Sequence, residues 1–422
     1  MSLMPKSLYF DRYLFTAMSL LCLISLVFLF RFDQIEGIKY AGQLSQSFLL
    51  RQSINILVGV LFFFLFWQMD LGAFKKISLY LFAISLLMVA LTYFFGSHVM
   101  GAKRFIHLGL FSFQPSEIVK FTFILFLSAL YADRKHRIEN AFQLIGYLVA
   151  LAIPFALVFK QPDLGTAVVF IAIFLGLSYK ADVPPKLFFL ISSPLISMLA
   201  IHMLPFPELL SWIVYGFFLL VYLIFTRINW IEKVFFFFIN VAAGLSSPYL
   251  WNSLHGYQKQ RLLSFLNPEI DPLAQGIRYH AMQSMTAIGS GGFFGKGFFQ
   301  GPLSALGFIP EQHTDFIFSL LGEEMGFIGL VFVLVLFAII LYRILKLAGE
   351  INRLPFESLV LFGIASYLGF QMIVNVGMCL GILPVVGIPL PFVSFGGNAM
   401  VLNFCLMGIV QNIYYQRHLS GY

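Results

Sequence analysis

Residues 327–342 read FIGLVFVLVLFAIILY, an apolar run that contains no charged residue. At about 1.5 Å of rise per residue, a helix of this length spans roughly 24 Å, close to the hydrocarbon thickness of a bilayer. The run lacks the alternation of a barrel strand, and a segment in lipid must satisfy its own backbone polar groups. The run therefore predicts a transmembrane α-helix.

Similar apolar runs recur along the whole chain and determine its fold class. The 422 residues are 60% hydrophobic and 11% charged, and 52 of them are Phe. Soluble domains carry about a quarter charged residues, so a water-soluble fold is excluded. We predict an all-α, polytopic integral membrane protein of about twelve transmembrane helices. The predicted spans are residues 14–30, 54–69, 77–95, 115–131, 142–159, 164–179, 187–203, 210–226, 234–251, 327–342, 358–376 and 396–414.

Basic residues predict the orientation in the membrane. Lys6 and Arg12 precede the first span and no small-x-small cleavage site follows it, so this span is a retained signal anchor. Lys and Arg are more frequent in the connections that lie inside when the N-terminus is inside. We therefore expect both termini in the cytoplasm and the long connection 252–324 outside. The net charge of +7 follows from this bias and implies no nucleic-acid partner.

The connection 252–324 is the main polar segment of the chain. It includes YQKQRLLSFLNPEIDPLAQG (257–276), GSGGFFGKG (289–297) and FIPEQHTDFIFSLLGEE (308–324). A link between two spans needs only a few residues. A segment of this length and polarity therefore indicates a working surface at the membrane face. Its GGFFGKG stretch lacks the spacing of a Walker A loop, which excludes that nucleotide site.

Asp271 precedes Pro272 in this segment, and two interpretations of its carboxylate stay open. Asp271 is either the N-cap of a short helix that begins at Pro272, or a base or electrostatic anchor at the outer membrane face. The two interpretations are compatible, because a capped helix holds its carboxylate rigidly.

A second group of charged residues lies at the start of the span that begins QPSEIVKF. Pro115 and Glu117 are typical of the first turn of a helix, and Lys120 follows one turn later. The two charges either neutralise each other at i,i+3 or face an internal cavity, the usual place for charge inside a span. Lys103 and Arg104, before this span, are either interfacial anchors or ligands of a phosphorylated substrate.

Acidic residues mark the starts of two other spans. Asp163, in QPDLGTA, is expected to cap the helix that follows it. Glu311, His313 and Asp315 alternate in PEQHTDF, a spacing that does not match the zinc motif HExxH. We expect them to form a hydrogen-bonded loop that rims a cavity.

Three other features complete the sequence interpretation. Glu323 and Glu324, where a span enters the membrane, are interpreted as ordinary interfacial charges. The segment LPVVGIPLPFVSFGGNAM (383–400) is predicted to be a re-entrant or broken-helix stretch, since irregular backbone at membrane depth is tolerated where it lines a cavity. Ser394 within it lacks the first glycine of a nucleophile elbow. The cysteines are Cys22, Cys379 and Cys405, and none of them belongs to a CxxC pair. The sequence therefore indicates neither a disulfide framework nor a zinc site.

Together these segments resemble the SEDS family (shape, elongation, division and sporulation), and its elongation-type members more than its division-type members. The resemblance rests on blocks that follow the family order and cover most of the chain: residues 101–120, 161–167, 257–276, 287–297, 308–326 and 381–397. It implies a single membrane domain over residues 1–422, with the large extracytoplasmic loop at 252–324.

The resemblance implies a peptidoglycan glycosyltransferase of the bacterial cytoplasmic membrane. Such an enzyme joins lipid II units into glycan strands on the outer membrane face, for cell elongation and rod shape, and releases undecaprenyl pyrophosphate. It acts with a class B penicillin-binding protein, which supplies the transpeptidase, and with other membrane proteins of the elongation complex. No motif demands a cofactor, although a divalent cation, Mg²⁺ or Mn²⁺, could share the pyrophosphate charge.

The matching positions also imply the site residues. Asp271 corresponds to the key acidic residue of the family and is our candidate catalytic residue. The basic residues are expected near the pyrophosphate. The other candidate residues are expected around the rest of the substrate. The candidates for substrate binding are Lys103, Arg104, Phe105, Glu117, Lys120, Arg261, Glu311, His313, Asp315 and Ser394.

The chain departs from the family pattern at several positions. Phe105 stands where the family has tryptophan, and Asn398 replaces Ser or Thr. Ala274 and Ile277 replace a glycine and an aromatic residue after the Asp-Pro pair. Residues 205–251 look like an inserted pair of helices in addition to the family's ten, and an even number keeps the large loop outside.

Two functions from other classes stay open at this point. A lipid II flippase or transporter would also use charged residues within spans and broken helices. A non-catalytic scaffold of the cell-wall synthesis complex would need only the spans. A fixed acid in the outer loop distinguishes the polymerase from both.

Overall fold

The computed structural model describes residues 10–39, 47–99, 102–108, 111–134, 136–203, 208–253, 278–309, 311–351 and 355–420, together with residues 256, 259 and 265. Within these ranges the helices are α1 (Arg12–Lys39), α2 (Phe48–Gln68), α3 (Leu71–Phe95), α4 (Pro115–Ala132), α5 (Ile145–Phe159), α6 (Leu164–Lys180), α7 (Pro185–Met203), α8 (Glu208–Phe225), α9 (Trp230–Ser253), α10 (Arg278–Gly291), α11 (Pro302–Ala305), α12 (Ile317–Glu350), α13 (Pro355–Cys379) and α14 (Gly397–Ser420). A 3₁₀ turn, Phe142–Leu144, leads into α5.

Each predicted span coincides with one of these helices, and the all-α, polytopic membrane class is confirmed. Within the described ranges, eight helices are long and apolar enough to cross a membrane: Arg12–Gln34, Phe48–Gln68, Leu71–Phe95, Pro115–Ala132, Phe142–Phe159, Trp230–Tyr249, Ile317–Glu350 and Pro355–Cys379. Leu164–Lys180 and Leu210–Phe225 are shorter apolar helices. The predicted insertion corresponds to α8 and most of α9, and its status as an insertion stays a prediction.

A small antiparallel sheet between α3 and α4 is an addition that the sequence did not predict. Its strands are β1 (Ser97–Val99), β2 (Ala102–Leu108) and β3 (Phe111–Phe113), in the order β1-β2-β3. Ser97 pairs with Phe105, and Ile106 pairs with Phe113. The sheet fixes the backbone of the segment that carries Arg104.

The helices form a bundle whose two ends differ in character. At one end Lys75 Nζ lies 2.6 Å from Asp133 Oδ1, which joins the start of α3 to the end of α4. Asn412 of α14 donates to Met69 O there, at 2.6 Å, just beyond the end of α2. The opposite end carries the strands, the ends of α3, α5 and α13, and the starts of α4, α6, α12 and α14. We call it the site end.

Helices α7, α8 and α9 form a satellite that packs mainly on itself. Asn240 of α9 links the three, because its Nδ2 donates to Ser193 Oγ at 2.8 Å and its Oδ1 accepts from Tyr215 OH at 2.8 Å. Away from the site end, the Glu232 carboxylate accepts a hydrogen bond from Ala141 N at 2.6 Å. Interhelical hydrogen bonds of this kind hold helices together in lipid, where burial of apolar surface gives no driving force.

Helix α12 is broken near its start. Gly326 has φ 65° and ψ −164°, a conformation that is essentially restricted to glycine. The helix begins at Ile317, whereas the predicted span began at Phe327, directly after the break. The hydropathy of the sequence therefore located the break and missed the helical segment before it.

Candidate functional site

The pair formed by Lys120 and Glu117 is the main charged feature inside the site end. Helix α4 begins with Pro115 in its first turn and Glu117 close behind, as predicted. Lys120 Nζ lies 2.6 Å from Glu117 Oε1, and their side chains are only 3% and 9% exposed. The ring of Tyr367 on α13 lies 5.4 Å from Lys120 Nζ and adds a cation–π contact.

Glu117 keeps an unused acceptor in this arrangement. Its Oε2 is buried and accepts no hydrogen bond from the described residues. The hydroxyl of the neighbouring Ser116 is likewise buried without a hydrogen-bond partner among them. Buried polar atoms nearly always have a partner. The start of α4 therefore presents hydrogen-bonding capacity that the surrounding helices do not take up.

A small cavity lies between α13 and α14. Tyr367 OH donates to Asn403 Oδ1 at 3.2 Å. The cavity lies beside this contact and is lined by residues of α13, α14 and the irregular segment between them: Gln371, Pro389, Leu390, Pro391, Phe392, Ser394, Gly396, Ala399, Met400 and Asn403. This confirms the prediction that the Pro- and Gly-rich segment is irregular and lines a cavity.

Ser394 fixes the irregular segment by hydrogen bonds to backbone. Its hydroxyl donates to Thr314 O at 2.5 Å and accepts from Leu390 N at 2.8 Å. Its carbonyl accepts from Gln52 Nε2 of α2 at 3.2 Å. These bonds give Ser394 a structural task, and a role in substrate binding stays a prediction.

The loop before α12 carries the three alternating polar residues and is hydrogen-bonded, as predicted. The Glu311 carbonyl accepts from the amides of Thr314 and Asp315, at 3.1 Å each. The Asp315 carbonyl accepts from Asn375 Nδ2 of α13 at 2.9 Å, so α13 supports the loop. His313 Nε2 lies 4.0 Å from Glu311 Oε2.

His313 is held in an aromatic enclosure. Its ring centroid lies 5.0 Å from that of Phe32 on α1 and 4.5 Å from that of Phe48 on α2. Phe395 is 5.9 Å away, and its amide donates to the His313 carbonyl at 2.9 Å. The enclosure orients the imidazole at the site end. In the described part of the chain, no three His, Cys, Asp or Glu side chains are grouped as a metal site.

Arg104 lies on the sheet and reaches the turn between α5 and α6. Its Nε donates to Gln161 O at 3.0 Å, and its guanidinium lies 3.6 Å from Asp163 Oδ2. Asp163 caps α6 by accepting from Thr166 N at 3.1 Å, which confirms its predicted role. The Arg104 side chain is 26% exposed, so its guanidinium is only partly enclosed by this turn. Phe105 follows it in β2.

The structure does not bring all predicted site residues together. Asp271 and Arg261 lie outside the described residues, and Lys103 is placed only as part of strand β2. Their roles stay predictions. The other candidates all lie at the site end, and these are Arg104, Phe105, Glu117, Lys120, Glu311, His313, Asp315 and Ser394.

The interpretation of Glu323 and Glu324 as interfacial charges is wrong. Both side chains are 0% exposed, and Glu324 forms an ion pair with Arg31 of α1. The sequence interpretation missed Arg31 as their partner because the pairing joins positions far apart in the chain. The available signal was the place of Arg31, directly at the end of an apolar run.

Comparison with known proteins gives the family. Residues 11–206 and 189–419 match the model of the FtsW/RodA/SpoVE family, described as cell cycle protein. The chain belongs to the FtsW/RodA/SpoVE family. The peptidoglycan glycosyltransferase RodA of Treponema pallidum is 33% identical in an alignment 431 positions long. The alignment covers 96% of this chain and 97% of the relative. The peptidoglycan glycosyltransferase MrdB of Escherichia coli K12 is 34% identical over 81% of this chain and 78% of its own length.

Two solved structures share the fold of this chain. A chain of a peptidoglycan synthase complex that coordinates polymerization and crosslinking superposes with a TM-score of 0.70 at 26% identity, over 97% of this chain and 98% of that chain. The rod shape determining protein RodA of Thermus thermophilus superposes with a TM-score of 0.62 at 23% identity, over 98% and 99% of the two chains. The second likeness shows the fold alone.

Proposed function

We propose that this protein is a peptidoglycan glycosyltransferase that joins lipid II units into glycan strands. The observation that carries the proposal is the buried Lys120–Glu117 pair, in a chain whose curated relatives are named peptidoglycan glycosyltransferases. Charge inside a span is costly and usually serves a substrate or ion site. The pair therefore supports a substrate site at the site end.

The reaction joins the 4-hydroxyl of an acceptor GlcNAc to the anomeric carbon of a donor MurNAc, and undecaprenyl pyrophosphate leaves. Asp271 is the proposed general base, or the group that orients the acceptor hydroxyl. An ordinary Asp carboxylate has a pKa of about 3.9, which makes it a weak base. General-base help of about 10²- to 10⁴-fold is nevertheless typical when the proton leaves in the transition state.

The cations at the site end are proposed to meet the pyrophosphate. Lys120 is buried within the bundle and Arg104 is partly exposed at the site end, and Lys103 and Arg261 are the further candidates. Cations contribute most where charge develops in the transition state. Orientation of the two lipid substrates by the surrounding groups, including His313, would supply much of the remaining acceleration.

A divalent cation, Mg²⁺ or Mn²⁺, is proposed to share this task, bound through the pyrophosphate oxygens. Both ions prefer oxygen ligands and often bind through substrate phosphates rather than a protein cage. This fits a site end whose described residues offer few grouped carboxylates. Removal of the ion with EDTA and readdition of Mg²⁺ or Mn²⁺ in a polymerisation assay tests the proposal.

The proposed location is the bacterial cytoplasmic membrane, with both termini inside and the site end outside. The excess of Lys and Arg in the opposite connections supports this orientation. The proposed partner is a class B penicillin-binding protein, because a structural relative belongs to a complex that couples polymerization to crosslinking. Other membrane proteins of the elongation complex are further expected partners.

A lipid II flippase is the second candidate, and the buried ion pair and irregular segment 380–396 favour it as well. The two functions differ in their product. Purified protein with labelled lipid II, with and without a class B penicillin-binding protein, should yield glycan strands, whereas the partner alone should not. Transfer of lipid II across liposomes without any polymer would support the flippase instead.

A further inference from the structure

Four charged side chains meet where a glycine-rich loop, residues 292–308, reaches α1 and α12. Arg31 forms an ion pair with Glu324, and both side chains are 0% exposed. Lys296 Nζ lies 3.3 Å from Glu323 Oε1, whose side chain is also 0% exposed. Two cations thus face two carboxylates, so the cluster is formally neutral. A neutral, paired cluster is the form in which charge can be buried.

The two carboxylates are acceptors for the backbone of the glycine-rich loop. Glu323 accepts from Leu303 N at 2.9 Å and from Ser304 N at 3.0 Å. Glu324 Oε2 accepts from Phe299 N at 3.3 Å. In addition, the Glu323 carbonyl accepts from Lys296 N at 3.0 Å. Amides of the loop therefore find acceptors within the protein, whereas the amides of a surface loop would bind water.

Backbone contacts place the start of the loop directly against the break in α12. Phe327 N donates to Gly292 O at 2.9 Å, and Ile328 N donates to Phe293 O at 3.3 Å. A side chain at Gly326 would lie 2.8 Å from the Phe293 carbonyl carbon. The loop thus takes up amides that the break leaves without helical partners.

Ring contacts give the depth of the loop relative to the spans. Phe298 packs on Phe28 with centroids 5.4 Å apart, and Phe299 packs on Phe30 at 6.4 Å. Phe28 and Phe30 belong to the apolar span Arg12–Gln34. Phe293 stacks at 5.8 Å on Phe327, the first residue of the apolar run 327–342. The loop therefore lies beside two spans rather than above them.

The outward face of the loop is apolar. Phe293 is 58% exposed and Phe294 is 79% exposed, and Leu306 is 64% exposed. Single exposed apolar residues need no explanation, but several large ones on one short loop indicate a contact with a partner or a membrane. With the ring contacts to α1 and α12, the medium that fits this face is lipid.

We propose that residues 292–308 form a re-entrant loop immersed in the bilayer, with its phenylalanines in contact with lipid acyl chains. Irregular backbone at this depth requires internal partners for its amides, and the Glu323 and Glu324 carboxylates provide them. Arg31 and Lys296 balance the charge of these carboxylates. The proposal concerns the placement of the loop and does not depend on the reaction that the protein catalyses.

Spin labels on the full-length protein in liposomes test the placement. A nitroxide is attached at Phe294→Cys and compared with two controls, Phe217→Cys on the apolar face of α8 and Glu139→Cys in the exposed α4–α5 connection. Collision with oxygen should rise and collision with a water-soluble nickel complex should fall relative to position 139, to the values found at 217. Nickel accessibility equal to that at position 139 would overturn the proposal.

A second pair of variants tests the same placement without a label. Phe294 is mostly exposed, so its replacement removes little packing within the protein. Phe294→Asp should lower the Tm in liposomes relative to Phe294→Leu, because a charge on a lipid-facing surface is unfavourable. Equal Tm values for the two variants would place the loop in water and contradict the proposal.

Discussion

Lys120 Nζ lies 2.6 Å from Glu117 Oε1, and the pair is buried one turn into α4 against the ring of Tyr367. An exposed pair at this spacing contributes only about 0.2–0.5 kcal/mol. Removal of one partner from a buried pair costs about 3–5 kcal/mol, because the other charge stays behind unpaired. Stability and function can therefore be separated at this pair by neutralising one or both residues.

The first prediction concerns that separation. Lys120→Met should lower the free energy of unfolding by about 3 kcal/mol or more, because Glu117 is left as an unpaired buried charge. The double variant Lys120→Met/Glu117→Gln should recover most of this loss, since both charges are gone. Thermal unfolding in detergent measures the stability, and labelled lipid II measures the activity.

Activity should respond differently from stability at the same position. The double variant should stay inactive although it is folded, because the cation proposed to meet the pyrophosphate is absent. Lys120→Arg keeps the charge and should retain part of the activity. Normal polymerisation by the folded double variant would make the pair purely structural.

The second prediction concerns the charged cluster behind the glycine-rich loop. Arg31→Met should destabilise the protein by about 3–5 kcal/mol, because Glu323 and Glu324 then share Lys296 alone. Arg31→Met/Glu324→Gln should be more stable than Arg31→Met. If Arg31→Met unfolds at the same temperature as the wild type, the charged cluster does not stabilise the loop.

The third prediction concerns the break in α12. Gly326→Ala should cost on the order of 1–3 kcal/mol, because φ 65° with ψ −164° is a strained conformation for alanine. The added methyl group would also meet the backbone of Phe293. Gly146→Ala in α5 is the matched control, since nothing lies within 4 Å of its new methyl group. An equal effect of the two substitutions would contradict the argument from conformation.

The fourth prediction concerns topology. With both termini in the cytoplasm, a cysteine at Gln275 should react with a membrane-impermeant thiol reagent from outside, and one at Gln416 only after permeabilisation. The native Cys22, Cys379 and Cys405 are buried and should give little background. Reaction of the Gln275 variant only from the cytoplasmic side would reverse the orientation and remove the catalytic assignment.

The sequence predicted the spans because each is a local property of a continuous run of residues. The cap Asp163 and the first turn at Pro115 were predictable for the same reason, since their signals lie within a few residues. The helical segment before Gly326 was missed because Glu323 and Glu324 separate it from the apolar run 327–342, although the fold buries both glutamates. The small sheet was missed because its strands are short and lie between stronger helix signals.

The sequence named Lys120, Glu117 and His313 as candidates but did not indicate most of their contacts. Lys120 and Glu117 are neighbours in sequence, and their pairing was one of two stated interpretations. Arg31 and Glu324 meet only through packing of α1 against α12, which no local pattern indicates. The aromatic enclosure of His313 likewise draws on residues from separate segments of the chain.

The central claim is that the protein polymerises lipid II and that Asp271 is needed for the chemistry. The most direct measurement is the glycan product formed from labelled lipid II by the wild type, Asp271→Asn and Asp70→Asn. Asp70 caps α3 by accepting from Gly72 N at 2.9 Å at the end of the bundle opposite the site, and Asn can keep that cap. We predict polymer from the wild type and Asp70→Asn and none from Asp271→Asn. A wild-type amount of polymer from Asp271→Asn would contradict the account. The absence of polymer from the wild type together with its partner would contradict it as well.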